Sequence, residues 1–220
     1  MKIKWLGWES WLIKTEDKII AIDPFAGEME EKVDLVLASH DHPDHCDIEK
    51  LAKIRKDSTL VLTPSVYASG INAESLDVGQ EKVFGNIVVK AVAAYNLNIP
   101  NHPKGVNTGY VIEVEGKRIY FASDTDLIEE MKELGEIDLA LLPVGGTYTV
   151  DLDEAVKAVE IIKPKQVIPM HYGEIDVVFG GHPKHVKLDA DPQEFKRKVE
   201  EKTSTKVIVL NPGEEVEIWL

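Results

Sequence analysis

The chain has 220 residues, with 25 Lys and Arg against 39 Asp and Glu, a net charge of −14, seven His and one Cys. That length buries a sizeable core without covalent staples, and no apolar run approaches the ~18 residues of a membrane span. The lone Cys46 cannot close an internal disulfide, which points to a reducing, cytoplasmic setting, and the acidic balance lacks the basic face that phosphate binding needs, so neither nucleic acid nor membrane is an expected partner.

The opening Met1-Lys2-Ile3-Lys4-Trp5 alternates like a strand and carries no apolar signal-peptide core. Short β-branched runs predict strands at 19–23 and 35–39, followed by a helix on the stripe Ile48, Leu51 and Ala52. Further strands are expected at 60–63 and 87–93, and a hairpin turning at 115–117 joins 110–114 to 118–122. Leu127, Met131 and Leu134 form a second helical stripe before a strand at 139–142. A third stripe, Ala155, Val156, Val159 and Ile162, stops at Pro164, and a strand follows at 166–170. Asp191-Pro192-Gln193-Glu194 opens a fourth helix, with an acid at the N-cap, Pro at the first helical position, and Phe195 and Val199 as its apolar positions. Strands at 207–210 and 216–219 close the chain. The segments 35–38 and 139–142 are continuously apolar, as strands covered on both faces are. No linker or short repeat divides the sequence, so it reads as one α/β domain over 1–220 with a mixed sheet.

The chemistry gathers where the strand at 35–39 stops, at His40-Asp41-His42-Pro43-Asp44-His45. Three imidazoles and two carboxylates in six residues offer neutral nitrogen and anionic oxygen donors, the ligand set of zinc and its neighbours. On an extended strand His40 and His42 point the same way and can chelate one ion, while Asp44 and His45, past the Pro43 bend, can reach a second. Cys46 follows a complete donor set at the start of a helix, where a packed small residue is expected rather than a thiolate ligand.

With this His-x-His-x-Asp-His run the sequence resembles the metallo-β-lactamase superfamily, and within it the small metal-dependent hydrolases related to ascorbate-6-phosphate lactonase. Ile20-Ala21-Ile22-Asp23-Pro24-Phe25 is similar to the family's strand ending in Asp, and Phe121-Ala122-Ser123-Asp124-Thr125 to its Gly-Asp-Thr stretch, with Ser123 replacing the usual Gly. Val167-Ile168-Pro169-Met170-His171 is similar to its last ligand after a strand, and 139–149 also resembles this group. The resemblance covers nearly the whole chain and implies a four-layer αββα sandwich. It further implies that His40 and His42 bind a first metal, that Asp44, His45 and His171 bind a second, and that Asp124 bridges the two. Asp23 would orient a ligand histidine through its other ring nitrogen, the competing reading being a strand-end turn formed with Pro24.

Three departures from the family pattern stand out. Many relatives place a His directly after the strand that here ends Ala91-Val92-Ala93-Ala94, but this chain continues Tyr95-Asn96. His102 is therefore the candidate third ligand of the first metal, against the reading of a surface-loop histidine and a two-His site. Where many relatives carry Gly-His near the N-terminus, this chain has Gly7-Trp8-Glu9. The segment Gly180-Gly181-His182-Pro183-Lys184-His185 reads as an inserted Gly-His loop whose His182 and His185 line the substrate entrance, bind an anion, or are simply mobile.

These residues together suggest a hydrolase that uses a hydroxide held between two metals, zinc by default with manganese or iron acceptable, on an ester, lactone or phosphoester of a small, anionic substrate. Asp44 and Asp124 are the candidate catalytic carboxylates, and Tyr95, Lys104, Thr147 and Tyr148 are candidates for lining the pocket. The rivals are an iron-dependent redox enzyme, a nuclease, and a metal-binding protein without catalysis.

Overall fold

The computed structural model describes residues 1–218, so Trp219 of the expected strand at 216–219 lies outside the described residues. In chain order the strands are β1 (Lys2–Gly7), β2 (Ser10–Lys14), β3 (Ile19–Ile22), β4 (Leu35–Leu37), β5 (Leu60–Thr63), β6 (Glu74–Ser75), β7 (Glu81–Phe84) and β8 (Ile87–Ala93). They continue as β9 (Thr108–Val114), β10 (Lys117–Phe121), β11 (Leu139–Pro143), β12 (Gln166–Met170), β13 (Gly173–Phe179), β14 (His182–Leu188), β15 (Lys206–Val207) and β16 (Glu215–Glu217). Four helices, α1 (Ile48–Ile54), α2 (Ser65–Ile71), α3 (Leu152–Ile162) and α4 (Pro192–Lys202), lie between them.

Two seven-stranded sheets run in the orders β16-β1-β2-β3-β4-β5-β6 and β15-β12-β11-β10-β9-β8-β7. Each combines an antiparallel meander with a parallel half: β1–β3 then β4–β6 in the first, β7–β10 then β11, β12 and β15 in the second. The architecture thus repeats although the sequence does not, because a fold repeats with apolar periodicity rather than with residue identity. Period-two alternation divides the faces. Ile20, Ile22, Leu35 and Leu37 enter the large core shared with the second sheet, whereas Ala21 and Val36 pack outward against Leu51 and Ile54 of α1 and Ile71 of α2. On the far side Ala155, Val156 and Val159 of α3 and Phe195 and Val199 of α4 cover the second sheet. The result is the four-layer αββα sandwich.

Caps follow the sequence closely. Asp151 and Glu154 form a reciprocal capping box on α3, Asp47 caps α1, and Asp191 accepts from Gln193 N at the start of α4, with Pro192 in the first turn. The hairpin at Glu115-Gly116 has positive φ at both residues, 52° and 71°, the backbone of a tight two-residue turn.

Several expectations are corrected. Ile48 is exposed, and Leu51 and Ile54 carry the buried face of α1. The stripe at 127–134 forms only a 3-10 turn, Glu129–Glu133, because Ile128 is still extended and Gly135 has a positive φ. At 207–210 the ladder stops after Val207, although Ile208 N still donates to the Val167 carbonyl. The inserted Gly-His loop is instead the turn of the β13–β14 hairpin, whose register pairs Phe179 with His182. The helix α2 and the strands β2, β6, β7, β13 and β14 have no counterpart among the expected elements.

Candidate metal centre

Each candidate ligand leaves the end of a strand or a turn at one edge of the sandwich. Asp23 follows β3, the run from His40 to His45 follows β4, His102 lies in the loop after β8, Asp124 follows β10 and His171 follows β12. The tight turn between β1 and β2, Trp8 and Glu9, reaches the same place. Among the described residues eight non-glycine residues have positive φ, and four of them sit here: Trp8 (53°), Asp23 (41°), Ser123 (57°) and His171 (55°). Each such conformation costs roughly 1 kcal/mol or more, so backbone strain is concentrated where donors must be aimed. Ser123 shows why a glycine suits its position, since φ there is left-handed. The His171 turn is clamped further, because its N–H donates to the Trp8 carbonyl at 3.1 Å and a Cβ on Gly145 would lie 2.1 Å from its carbonyl oxygen.

His40, His42, His102 and Asp124 present ligand atoms within 4.8 Å of one another. His40 Nε2 lies 3.0 Å from His42 Nδ1, and His102 Nε2 lies 3.2 Å from His42 Nδ1 and 3.2 Å from Asp124 Oδ2. Donors around a tetrahedral ion held at 2.0–2.1 Å are about 3.3 Å apart, so the spacing suits zinc or a similar dication. His102 Nδ1–H donates to Asn96 Oδ1 at 2.7 Å, which sets the tautomer and leaves Nε2 as a free donor. The loop His102 thus stands beside His40 and His42. Asn96, next to the position where many relatives carry a His, holds it there. His40 and His42 meet through an irregular loop rather than through strand alternation, because β4 ends at Leu37.

Asp44, His45 and His171 form a second group of the same tightness. His45 Nδ1–H donates to Asp23 Oδ2 at 2.7 Å, and Asp23 also accepts from Ser39 N and Ser39 Oγ, at 2.8 and 2.6 Å. His45 Nε2 is therefore turned to Asp124 Oδ2, 3.4 Å away, while His171 Nε2 lies 3.3 Å from Asp124 Oδ1. Trp8 Nε1 donates to Asp44 Oδ2 at 3.1 Å and its ring lies 4.3 Å from that of His171. Asp44 Oδ1, His45 Nε2, Asp124 Oδ1 and both oxygens of Glu9 are buried without a hydrogen-bond partner. Buried polar groups are ordinarily paired, and a dication is the partner that this donor set fits.

The electrostatics set His45 apart from the other buried histidines. Burial, reinforced by His45, holds His40 well below the usual imidazole range, and burial takes His102 down to about 4, so both are neutral donors at pH 7. Burial also lowers His171. For His45 burial is outweighed by the carboxylates of Asp124 and Asp23, which raise it well above the usual range. Burial likewise fails to raise Asp124, which His171, His45 and His102 hold well below the carboxylate range. Burial and then Asp124 push Glu9 far up.

Above the donors lies a cavity of about 260 Å³. Trp8, Asn101, Tyr148, Phe179, Lys184 and Val186 wall it, together with the donors His42, Asp44, His102, Asp124 and His171. Of the residues expected to line a pocket, Tyr148 does so. Thr147 is exposed beside it, and Tyr95 and Lys104 are occupied by Glu130, which accepts from the Tyr95 hydroxyl at 3.0 Å and from Lys104 at 2.6 Å. His182 and His185 face solvent on β14, and His185 is 3.0 Å from Asp176, so the hairpin contributes Lys184 to the cavity instead. Cys46 is packed in the apolar cluster beneath α1, its thiol pushed up to about 12 by burial. Sequence reading missed Glu9, Asn96, Phe179 and Lys184. A Glu inside an otherwise apolar hairpin turn was the one available signal.

Comparison with known proteins agrees with this geometry. The profile of the β-lactamase superfamily domain matches residues 2–171. A UPF0173 metal-dependent hydrolase of Nanoarchaeum equitans is 37% identical, the alignment covering 99% of this chain and all of the relative, and one from Methanosarcina barkeri is 34% identical over 99% of each. The structure of Igni18, a metallo hydrolase from the hyperthermophilic archaeon Ignicoccus hospitalis, superposes with a TM-score of 0.78 at 28% identity, covering 98% of this chain and 97% of that one. The chain belongs to the β-lactamase superfamily and, within it, to the UPF0173 family of metal-dependent hydrolases.

Proposed function

We propose that this chain is a binuclear metallohydrolase of the cytoplasm, acting on an ester, lactone or phosphoester of a small anionic molecule, with zinc as the default metal and manganese or iron suited to the same donors. The observation that carries the reading is the position of Asp124 between two donor groups, facing His102 and His45 through Oδ2 and His171 through Oδ1. His40, His42 and His102 would hold one ion, Asp44, His45 and His171 the other, and Asp124 both. Such a pair, when bound, brings the pKa of a shared water towards neutrality and polarises the oxygen of the bond under attack.

The chain's own residues then do the rest. Asp23 and Asn96 fix the ring orientations of His45 and His102. Trp8 donates to Asp44 Oδ2 and so leaves Oδ1, which has no hydrogen-bond partner, as the oxygen that would bind the second ion. Phe179 and Val186 shield the cavity, and Lys184 supplies a cation for an anionic substrate. The cavity suits a small molecule, and the net charge of −14 opposes a nucleic acid. A reducing compartment agrees with the lone, buried Cys46.

The test strips the full chain of metal, reloads it separately with zinc, manganese and ferrous iron, and measures ions per chain and turnover on lactone, phosphodiester and thioester panels. Two ions per chain and metal-dependent hydrolysis are expected. One ion per chain overturns the binuclear reading, and no turnover in any loaded form overturns the hydrolytic one.

A further inference from the structure

Glu9 is the most anomalous residue in the molecule. It sits at the tip of the β1–β2 turn, is fully buried, and neither carboxylate oxygen has a hydrogen-bond partner. Its ligand atoms fall within 4.8 Å of those of Asp124 and His171 in one grouping, and of Asp23 and His45 in another. A buried carboxyl group whose two oxygens make no hydrogen bond is costly in a protein interior, and such groups ordinarily pair, coordinate metal or stay protonated. Of its neighbours, Asp23 and Asp124 are acceptors, and neither the His45 nor the His171 ring makes a hydrogen bond to it: His45 Nδ1 is committed to Asp23, and Nε2 of each ring faces Asp124.

We infer that Glu9 is a further ligand of this centre, binding the second ion from its buried side beside Asp124 and His171. This rests on the binuclear reading above and deepens it. The two ends of the centre then differ in kind. One holds three imidazoles and a shared carboxylate, the set that suits zinc. The other holds two imidazoles and three carboxylates, Asp44, Asp124 and Glu9, a harder and more oxygen-rich set that favours manganese or ferrous iron. The centre is thereby built for two different metals, with Glu9 setting the preference of the second position.

The experiment titrates the metal-free full chain and its Glu9→Gln variant with manganese and with zinc, resolving the two equivalents by calorimetry and elemental analysis. Glu9→Gln is expected to weaken manganese at the second position by about tenfold or more, and to lower the manganese-to-zinc preference there by a similar factor. The first equivalent of zinc should stay within about twofold. An equal fall for both metals would mean that Glu9 only orients a neighbour, and an unchanged titration that it is a structural acid; either overturns the inference. Because Glu9→Gln can perturb folding, a crystal structure of the manganese-loaded wild-type chain gives a second test. A Glu9 oxygen in the coordination shell is expected, and Glu9 outside it overturns the assignment. Fewer than two ions on the wild-type chain would instead overturn the binuclear reading, so the two failures are distinguishable.

Discussion

The two ends of the donor cluster are built differently. His40, His42 and His102 converge to 3.0–3.2 Å and satisfy their remaining nitrogens locally, His40 at Ser39 and His102 at Asn96. At the other end Glu9, Asp44, His45, Asp124 and His171 all carry buried polar atoms without partners, whereas none of the first three histidines does. The imidazole end is therefore nearly self-sufficient, and the carboxylate end depends on a cation. The lesson is that preorganisation need not be uniform within one site: strain and unsatisfied polarity are stored at the end whose donors come from the most separate elements.

The largest test removes what both ends share. Asp124→Asn is expected to lower hydrolytic turnover at least about a thousandfold, equivalent to about 4 kcal/mol of barrier, and to reduce bound metal at both ends. Loss of ions from one end only, measured by elemental analysis, would break the symmetry assigned to Asp124.

Acidification should distinguish His102 from His45 next. Burial holds His102 at about 4 in the folded chain, against about 6.5 unfolded, so its contribution is complete above pH 6.5 and is lost as pH falls towards 4. The metal-free protein should lose on the order of 3 kcal/mol from this group across that window. His45 has the opposite sign: its raised pKa contributes stability below about 6.5 that is lost as pH rises through the folded value. Denaturant midpoints of metal-free wild type and His102→Gln between pH 4 and 7 check this, and equal slopes for the two proteins would refute it.

Asp23→Asn acts mainly on the carboxylate end. It removes the charge and one of the two acceptor oxygens that serve His45 and Ser39, so the second ion should bind about 10–100-fold more weakly, with a smaller effect on the first through the Ser39 contact to His40. The smallest effect is outside both ends. Lys184→Gln should raise KM for an anionic substrate by about tenfold with kcat little changed, because a pocket-wall cation stabilises substrate and transition state alike. A change in kcat alone would place Lys184 in the chemistry.

Much of the fold was legible because its periodicities are local. The strands at 60–63, 87–93 and 166–170 were bounded correctly, the Asp191-Pro192 start of α4 was readable from capping chemistry, and the hairpin at 115–117 from its turn residues. The β13–β14 hairpin was missed although β13 alternates, with Ile175, Val177 and Phe179 turned inward, because most of β14 is polar and exposed up to Lys187 and its apolar side chains are confined to Val186 and Leu188. α2 was missed because Ser65-Val66-Tyr67-Ala68-Ser69-Gly70-Ile71 is weak in helix formers and owes its buried face to Ala68 and Ile71 packing.

The sequence by itself determined the donors that lie within one loop, His40 to His45, because six residues of chain cannot separate them far. It also determined which faces of the strands go inward, since a period of two needs no knowledge of the partner sheet. The tertiary structure alone decided that Asn96 holds the His102 ring so that Nε2 faces Asp124, that Glu9 is carried unpaired into the centre, and that Lys184 rather than His182 or His185 walls the cavity. These placements depend on which strands pair and in what register, and a shift of one residue in β14 would exchange Lys184 for a neighbour on the opposite face.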